Sequence, residues 1–129
     1  MTDSRAKGAG FERTVAKALE LELGIKFRRD LQQYQQADRG DLVTDCQNWP
    51  YVVECKRYAE GTGCKPAWWK QAKTAADKAG KIPIVIYQYD RRQIRCVLPL
   101  SHLIECTHEY LVEVDFQTFC YIAREKMND

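Results

Sequence analysis

The chain contains no apolar run near the roughly 20 residues needed to span a bilayer, so none of its 129 residues read as a membrane helix. Its opening, MTDSRAKGAG, has no hydrophobic region behind its charges and does not read as a secretory signal. Histidine is scarce, with only His102 and His108, and neither lies at a metal-ligand spacing from a cysteine. The six cysteines form no C-x-x-C and no paired short spacing of the zinc-finger kind. Without a secretory signal a disulfide framework is not expected, and the thiols read as reduced, small hydrophobes in a reducing cytoplasm. No internal repeat, linker or second domain is visible, and the Gln-rich piece within LQQYQQADRG is too short to count as low complexity.

Strong net charge is missing too: 20 basic residues stand against 18 acidic ones, a formal +2. The distribution is more informative. Residues 1–99 hold 18 Lys and Arg against 12 Asp and Glu, or +6, while residues 100–129 hold 2 against 6, or −4. The basic residues gather as KFRR (26–29), KR (56–57), the lysines from 65 to 81, and RRQIR (91–95). Such a surface suits a polyanion. With 45% hydrophobic and 29% charged residues, the composition is that of one soluble globular domain with a real core.

Periodicity organises that domain. Residues 10–23 place Phe11, Val15, Ala18 and Leu19 on one helical stripe ending at Gly24. Glu12 falls within that stripe and faces the body of the protein; Glu22 lies near it at the fraying end, where it reaches water. Residues 25–30 and 41–46 read as strands around the polar loop 31–40, and a turn at QNWP leads to a third strand, 51–57. Pro66 suits the first turn of a helix over 67–79, in which Trp68, Ala72, Ala75, Ala76 and Ala79 share a face before Gly80. Residues 82–89 are apolar on both faces, as in a central strand, and 92–98 pairs with them through a tight DR turn. Residues 99–106 read as a short helix, 110–114 as a strand, and 115–125 as a helix capped by Asp115. The result is a single α/β domain with a mixed central sheet flanked by helices: an αβββαββ core, about residues 5–98, plus a C-terminal αβα extension, about 99–129.

Within this pattern WPYVVECKRY is anomalous. It reads as a buried strand, yet Glu54 and Lys56 lie two apart and project to one face, with Val53 and Cys55 on the other. If the strand beginning at Asp41 is its neighbour, Asp41 comes alongside Glu54. Carboxylates that close repel unless a cation lies between them, and hard oxygen ligands suit Mg²⁺ or Mn²⁺. The backbone carbonyl of Cys55 offers a further oxygen, and Glu12 can reach the same place from the first helix. Lys56 beside such a site orients or helps deprotonate an attacking water, or neutralises charge on a phosphate transition state. Together these parts fit hydrolysis of a phosphodiester.

GD, followed thirteen residues after the Asp by ECK and preceded by a helix carrying GxxFER, resembles the PD-(D/E)XK nuclease superfamily. Within it the pattern is most similar to the archaeal-type Holliday junction resolvases and their phage relatives, over roughly residues 5–98. The resemblance implies a restriction-endonuclease-like fold, Mg²⁺ dependence with Mn²⁺ substituting, no small-molecule cofactor, a homodimer, and cleavage of branched DNA. It places the site at Glu12, Asp41, Glu54 and Lys56, and adds Gln71, whose amide holds a phosphate oxygen or a metal-bound water. Lys26, Arg28, Arg29, Arg57, Lys65, Arg91, Arg92 and Arg95 are the expected phosphate contacts. The expected location is the cytoplasm, that of a bacterial host if the chain is phage-encoded. Two rivals share the fold: a nuclease acting on ends, flaps or restriction-like sites, and a non-catalytic DNA-binding module. The presence of Asp41, Glu54 and Lys56 together argues against the second.

Overall fold

The computed structural model describes residues 4–31 and 40–128. Its elements run α1 (Ser4–Leu23), β1 (Arg28–Arg29), β2 (Leu42–Val43), β3 (Tyr51–Tyr58), α2 (Pro66–Ala79), β4 (Ile82–Tyr89), β5 (Arg95–Pro99), β6 (Leu111–Asp115) and α3 (Phe116–Met127). The six strands form one sheet in chain order, β1-β2-β3-β4-β5-β6. Only β3 and β4 are parallel, joined by the α2 crossover; every other pair is antiparallel.

Alternation along β3 and β4 divides the core between two layers. Tyr51, Val53, Ile84 and Ile86 pack with Phe11, Val15 and Leu19 of α1 and with Phe119, Cys120 and Ala123 of α3. On the other face α2 lays Trp68 and Ala72 against Val85, Tyr87 and Tyr89, while Ala75 and Ala76 meet Val52. The alanines let α2 sit close to the sheet, and β4 is apolar on both sides as its sequence predicts. Ala79, expected on that buried face, is exposed where the helix runs into the left-handed Gly80.

Several boundaries differ from the sequence reading. Helix α1 begins at Ser4 rather than residue 10. Glycines at 8 and 10 weaken the local signal, but Lys7 Nζ reaches Asp90 at 3.1 Å and ties the early turns to the β4–β5 connection. Strands β1 and β2 pair over only two residues each. Beyond them the ladder gives way to side-chain bonds: Thr44 Oγ1 donates to the Lys26 carbonyl (2.7 Å) and accepts from Cys46 N–H (3.2 Å). The predicted tight DR turn forms, closed by Arg92 N–H on the Tyr89 carbonyl at 3.1 Å, but strand pairing beyond it starts at Arg95 rather than residue 92, and the predicted helix over 99–106 shrinks to one 3₁₀ turn, Leu100–His102. There the chain must double back, and Leu100 N–H already bonds the Tyr110 carbonyl at 2.8 Å. The polar loop predicted over 31–40 lies, apart from its two ends, outside the described residues.

The C-terminal residues are built into the core rather than appended to it. β6 pairs with β5 from Arg95↔Asp115 to Pro99↔Leu111. Asp115 caps α3 as expected, its Oδ1 accepting from Thr118 N–H at 2.7 Å. Glu22, expected to reach water, instead accepts from Gln117 Nε2 at 3.0 Å, and Arg124 donates to the Glu22 carbonyl at 2.9 Å. Phe119 then lies edge-on to Tyr51 and Trp49, with centroids 5.2 and 6.3 Å away. All six cysteines are free thiols. Among the described residues no helix is long and apolar enough to cross a membrane.

This packing predicts that Phe119→Ala, which empties a fully buried site, lowers unfolding free energy by about 3–5 kcal/mol. Tyr121→Ala, on the exposed side of the same helix, should change it by less than about 0.5 kcal/mol. Urea unfolding of the two variants measures the contrast.

Candidate active site

β2 and β3 align as the sequence pattern requires. Leu42 lies opposite Val53, and the chain just before β2 brings the Asp41 carboxyl close enough to that of Glu54 for the two to interact directly. Gly40 permits the approach. A Cβ there would run into the Val53 carbonyl and the Val52 side chain, so only glycine lets this backbone lie against β3. Asp41 N–H then donates to the Val53 carbonyl at 2.8 Å, and Asp41 Oδ2 accepts from Cys55 N–H at 2.6 Å. The side chain of Asp41 thus occupies the place of the next β2 residue in the ladder.

That last bond orients a further group. A strand residue points its N–H and C=O to the same side, so the Cys55 carbonyl faces the Asp41 side, beyond the end of β2. Its thiol points the other way, against the α1 core, and burial pushes its pKa well up. Cys55 thus offers the site its backbone oxygen and not its sulfur.

Glu12, Asp41 and Glu54 are all buried, Glu54 to 3% exposure. Burial, opposed by the Cys55 N–H bond and reinforced by the Glu12 charge, raises the Asp41 pKa to about 6. Burial and then the Asp41 charge push Glu54 to about 9; Glu54 keeps the proton and donates it to Asp41. One oxygen of Glu54, Oε2, remains buried without a hydrogen-bond partner. Two carboxyls that must share a proton, with an orphaned oxygen beside them, fit a hard divalent cation that replaces the proton. Among the described residues no three acidic, His or Cys side chains form a ready metal cluster. A third protein oxygen would have to come from the Cys55 carbonyl, or from Glu12 if its present bond were released.

That bond is to Arg29, whose Nε lies 3.2 Å from Glu12 Oε2. Arg29, expected on a phosphate, here neutralises the carboxylate that α1 brings in. Lys56 follows Glu54 on the same face of β3, and its Nζ donates to Gln71 Oε1 of α2 at 2.8 Å. The glutamine thus fixes the ammonium at the edge of the carboxyl pair.

The expected phosphate contacts are divided. Arg57 is bound to Asp90 at 2.6 Å, Arg95 to Glu113 at 3.2 Å, and Arg28 to Asp45 at 3.2 Å on the exposed rim. Lys65 lies against the Tyr58 and Trp68 rings, and Lys26 is exposed. Arg91 and Arg92 are exposed with no carboxylate partner among the described residues, and line an open cleft of about 480 Å³ with Gly61–Gly63 and Tyr89. The Arg29–Glu12 pair and the contact at Gly40 were not foreseen from the sequence, although glycine immediately before the aspartate was a signal for the second.

The family model described as phage putative PDDEXK endonuclease matches residues 3–129. The chain belongs to this family. The match extends beyond the residues 5–98 over which the sequence resemblance runs, and takes in β6 and α3, which complete the sheet and the core. Among solved structures, the Holliday junction resolvase Hjc of the archaeal hyperthermophile Archaeoglobus fulgidus is similar, with 18% sequence identity and a TM-score of 0.58. The likeness covers 91% of this chain and 98% of Hjc, and at that identity it is one of fold. No curated protein matches. In this PDDEXK chain Asp41 immediately precedes β2, Glu54 and Lys56 lie on the paired strand β3, and the two carboxyls interact directly.

The raised pKa values give a pH dependence of definite sign. The folded protein binds protons at Asp41 and Glu54 that the unfolded chain has released, so their stabilising effect is complete below about pH 4. It is lost as pH rises through about 6 for Asp41 and about 9 for Glu54. In EDTA, the melting temperature should therefore fall between pH 5 and pH 9, and Glu54→Gln should flatten the decline. Melting curves in matched buffers test both; a wild-type curve that rises over that range would contradict the assignment.

Proposed function

We propose that this PDDEXK nuclease is a Mg²⁺-dependent endonuclease that cleaves branched DNA, above all the four-way junction, by paired nicks made as a homodimer. The observation that carries the reading is the buried Asp41–Glu54 pair, with Glu54 Oε2 unpartnered and Lys56 alongside. Asp41, Glu54 and the Cys55 carbonyl would hold Mg²⁺, with Glu12 in support; Mn²⁺ would substitute. Bound there, the cation supplies Lewis-acid stabilisation of phosphoryl charge.

The chain's own groups do the rest. The Lys56 ammonium, steadied by Gln71, neutralises charge that builds on the phosphate oxygens and orients the attacking water. Glu12 and Arg29 form a reserve at the α1 side: release of their bond turns the carboxylate toward the site and frees the guanidinium for a neighbouring phosphate. Arg91 and Arg92, without acidic partners among the described residues, offer contacts to the DNA backbone away from the cut. Such contacts give affinity that falls with salt and carries no sequence preference.

The preference for branched DNA rests on the fold shared with Hjc, described as a Holliday junction resolvase, and on the dimer argument. A four-way junction needs two symmetric nicks in opposing strands, and one domain with one such site makes one; a two-fold dimer meets both demands. The Trp-bearing helix does not provide the interface through Trp68, which is buried within its own subunit.

Incubation with a four-way junction, a flap and a linear duplex, each with Mg²⁺ and with EDTA, tests the reading. Cleavage is expected only with Mg²⁺ and most readily on the junction; equal cutting of all three would leave a general nuclease. Asp41→Asn and Glu54→Gln should abolish cleavage and weaken Mn²⁺ binding measured without DNA, while DNA binding survives. Lys56→Ala should slow cleavage on the order of a hundred- to a thousandfold with Mn²⁺ binding intact. Full-rate cleavage by either carboxyl variant would remove the assignment.

A further inference from the structure

Two residues beyond Lys56 on the same face of β3 stands Tyr58, about 6.8 Å further along the strand by the ordinary rise per residue. It is the last residue of β3 and is 43% exposed. Exposure alone would mean little, but its ring is held. It stacks on Trp68 with an interplanar angle of 12° and centroids 5.3 Å apart. Trp68 is itself buried against Tyr87 and Tyr89. The Lys65 ammonium lies 5.3 Å from the Tyr58 ring centroid and 5.6 Å from that of Trp68. One face of Tyr58 is therefore fixed against a rigid aromatic stack, a cation is at hand, and the remaining surface is open to solvent.

The stack on Trp68 uses one face of the ring. The tyrosine hydroxyl has no hydrogen-bond partner among the described residues, so the side chain is not kept in place for a polar contact. What a flat, pre-oriented ring beside a cation offers is a surface on which a nucleobase stacks while its phosphate meets the ammonium. In an intact duplex both faces of each base are already covered by neighbours. At a fork an unpaired base has a free face and can be splayed onto an aromatic side chain, and at an unstacked four-way branch, where every base is paired, the pairs that end each arm leave a face uncovered.

We propose that Tyr58, backed by Trp68, is a stacking platform for an unpaired or unstacked base next to the phosphate that is cut, with Lys65 holding the adjoining phosphate. The inference rests on the branched-DNA reading above and gives it a physical selector: the platform rewards DNA whose bases are exposed at the cleavage point. Tyr58 is a binding and positioning residue, and the chemistry remains with Asp41, Glu54 and Lys56.

The test uses the full chain in EDTA, so that binding is read without cleavage. The probes are a forked duplex with 2-aminopurine as its first unpaired nucleotide, a four-way junction with 2-aminopurine at the branch, and a plain duplex. Wild type and Tyr58→Phe should quench the 2-aminopurine fluorescence of the fork and the junction. Tyr58→Leu, which keeps the apolar cover over Trp68, should lose that change and bind both about tenfold more weakly, with plain-duplex affinity unaltered. Lys65→Gln, at an exposed position, should keep the fluorescence change but reduce the salt slope of fork binding by about one unit. Unchanged fluorescence and affinity in Tyr58→Leu, or an equal loss on duplex and fork, would overturn the platform. If wild type binds junction and duplex alike while Tyr58→Leu still loses the fork, the junction reading falls and the platform stands.

Discussion

The hydrogen bond that Cys55 N–H donates to the Asp41 carboxylate, 2.6 Å long, is the contact on which the site depends. It places Asp41 beside Glu54, turns the Cys55 backbone toward the carboxyls, and takes over from a ladder that ends after two residues of β2. The contact exists because Gly40 has no Cβ to collide with Val53. A longer, regular β2 would satisfy the same backbone groups with main-chain bonds and leave the Asp41 carboxylate without the Cys55 N–H.

The site stores unfavourable electrostatics within an otherwise consistent core. Glu12 and Asp41 each raise the cost of ionising Glu54, and burial raises it further. Natural folds keep such local conflicts where function needs them and compensate elsewhere. Here the compensation is visible in β4, whose side chains pack on both faces, and in the aromatic cluster of Trp49, Tyr51 and Phe119 beneath β3.

The basic surface separates in the same way. Lys7, Arg57 and Arg95 bind acidic side chains and stitch the sheet to its neighbours, whereas Arg91 and Arg92 project into an open cleft at the far end of β4 and β5. Arg91 even adopts a left-handed backbone, φ 63°, which is costly for a residue with a Cβ and is held there by the tight turn. Charge counting along the chain could not make this division, because Arg57 and Arg92 look alike until their neighbours are known.

Much of the arrangement was legible in the sequence because it depends on local periodicity and on one-dimensional spacing. The alternation in 51–57 and 82–89, the alanine face of α2, the Asp115 cap, and the thirteen-residue spacing from Asp41 to Glu54 each follow from short-range chemistry, and the family match agrees with the fold they imply. What tertiary structure decided lies at contacts between residues far apart in the chain. The close approach at Gly40, the bond from Arg29 to Glu12, and the entry of Phe119 into the core beside Tyr51 all bring together groups that no local pattern relates. A side chain's periodicity tells it which way to face, but its partner is chosen by the packing of whole elements, and that choice is energetic and global.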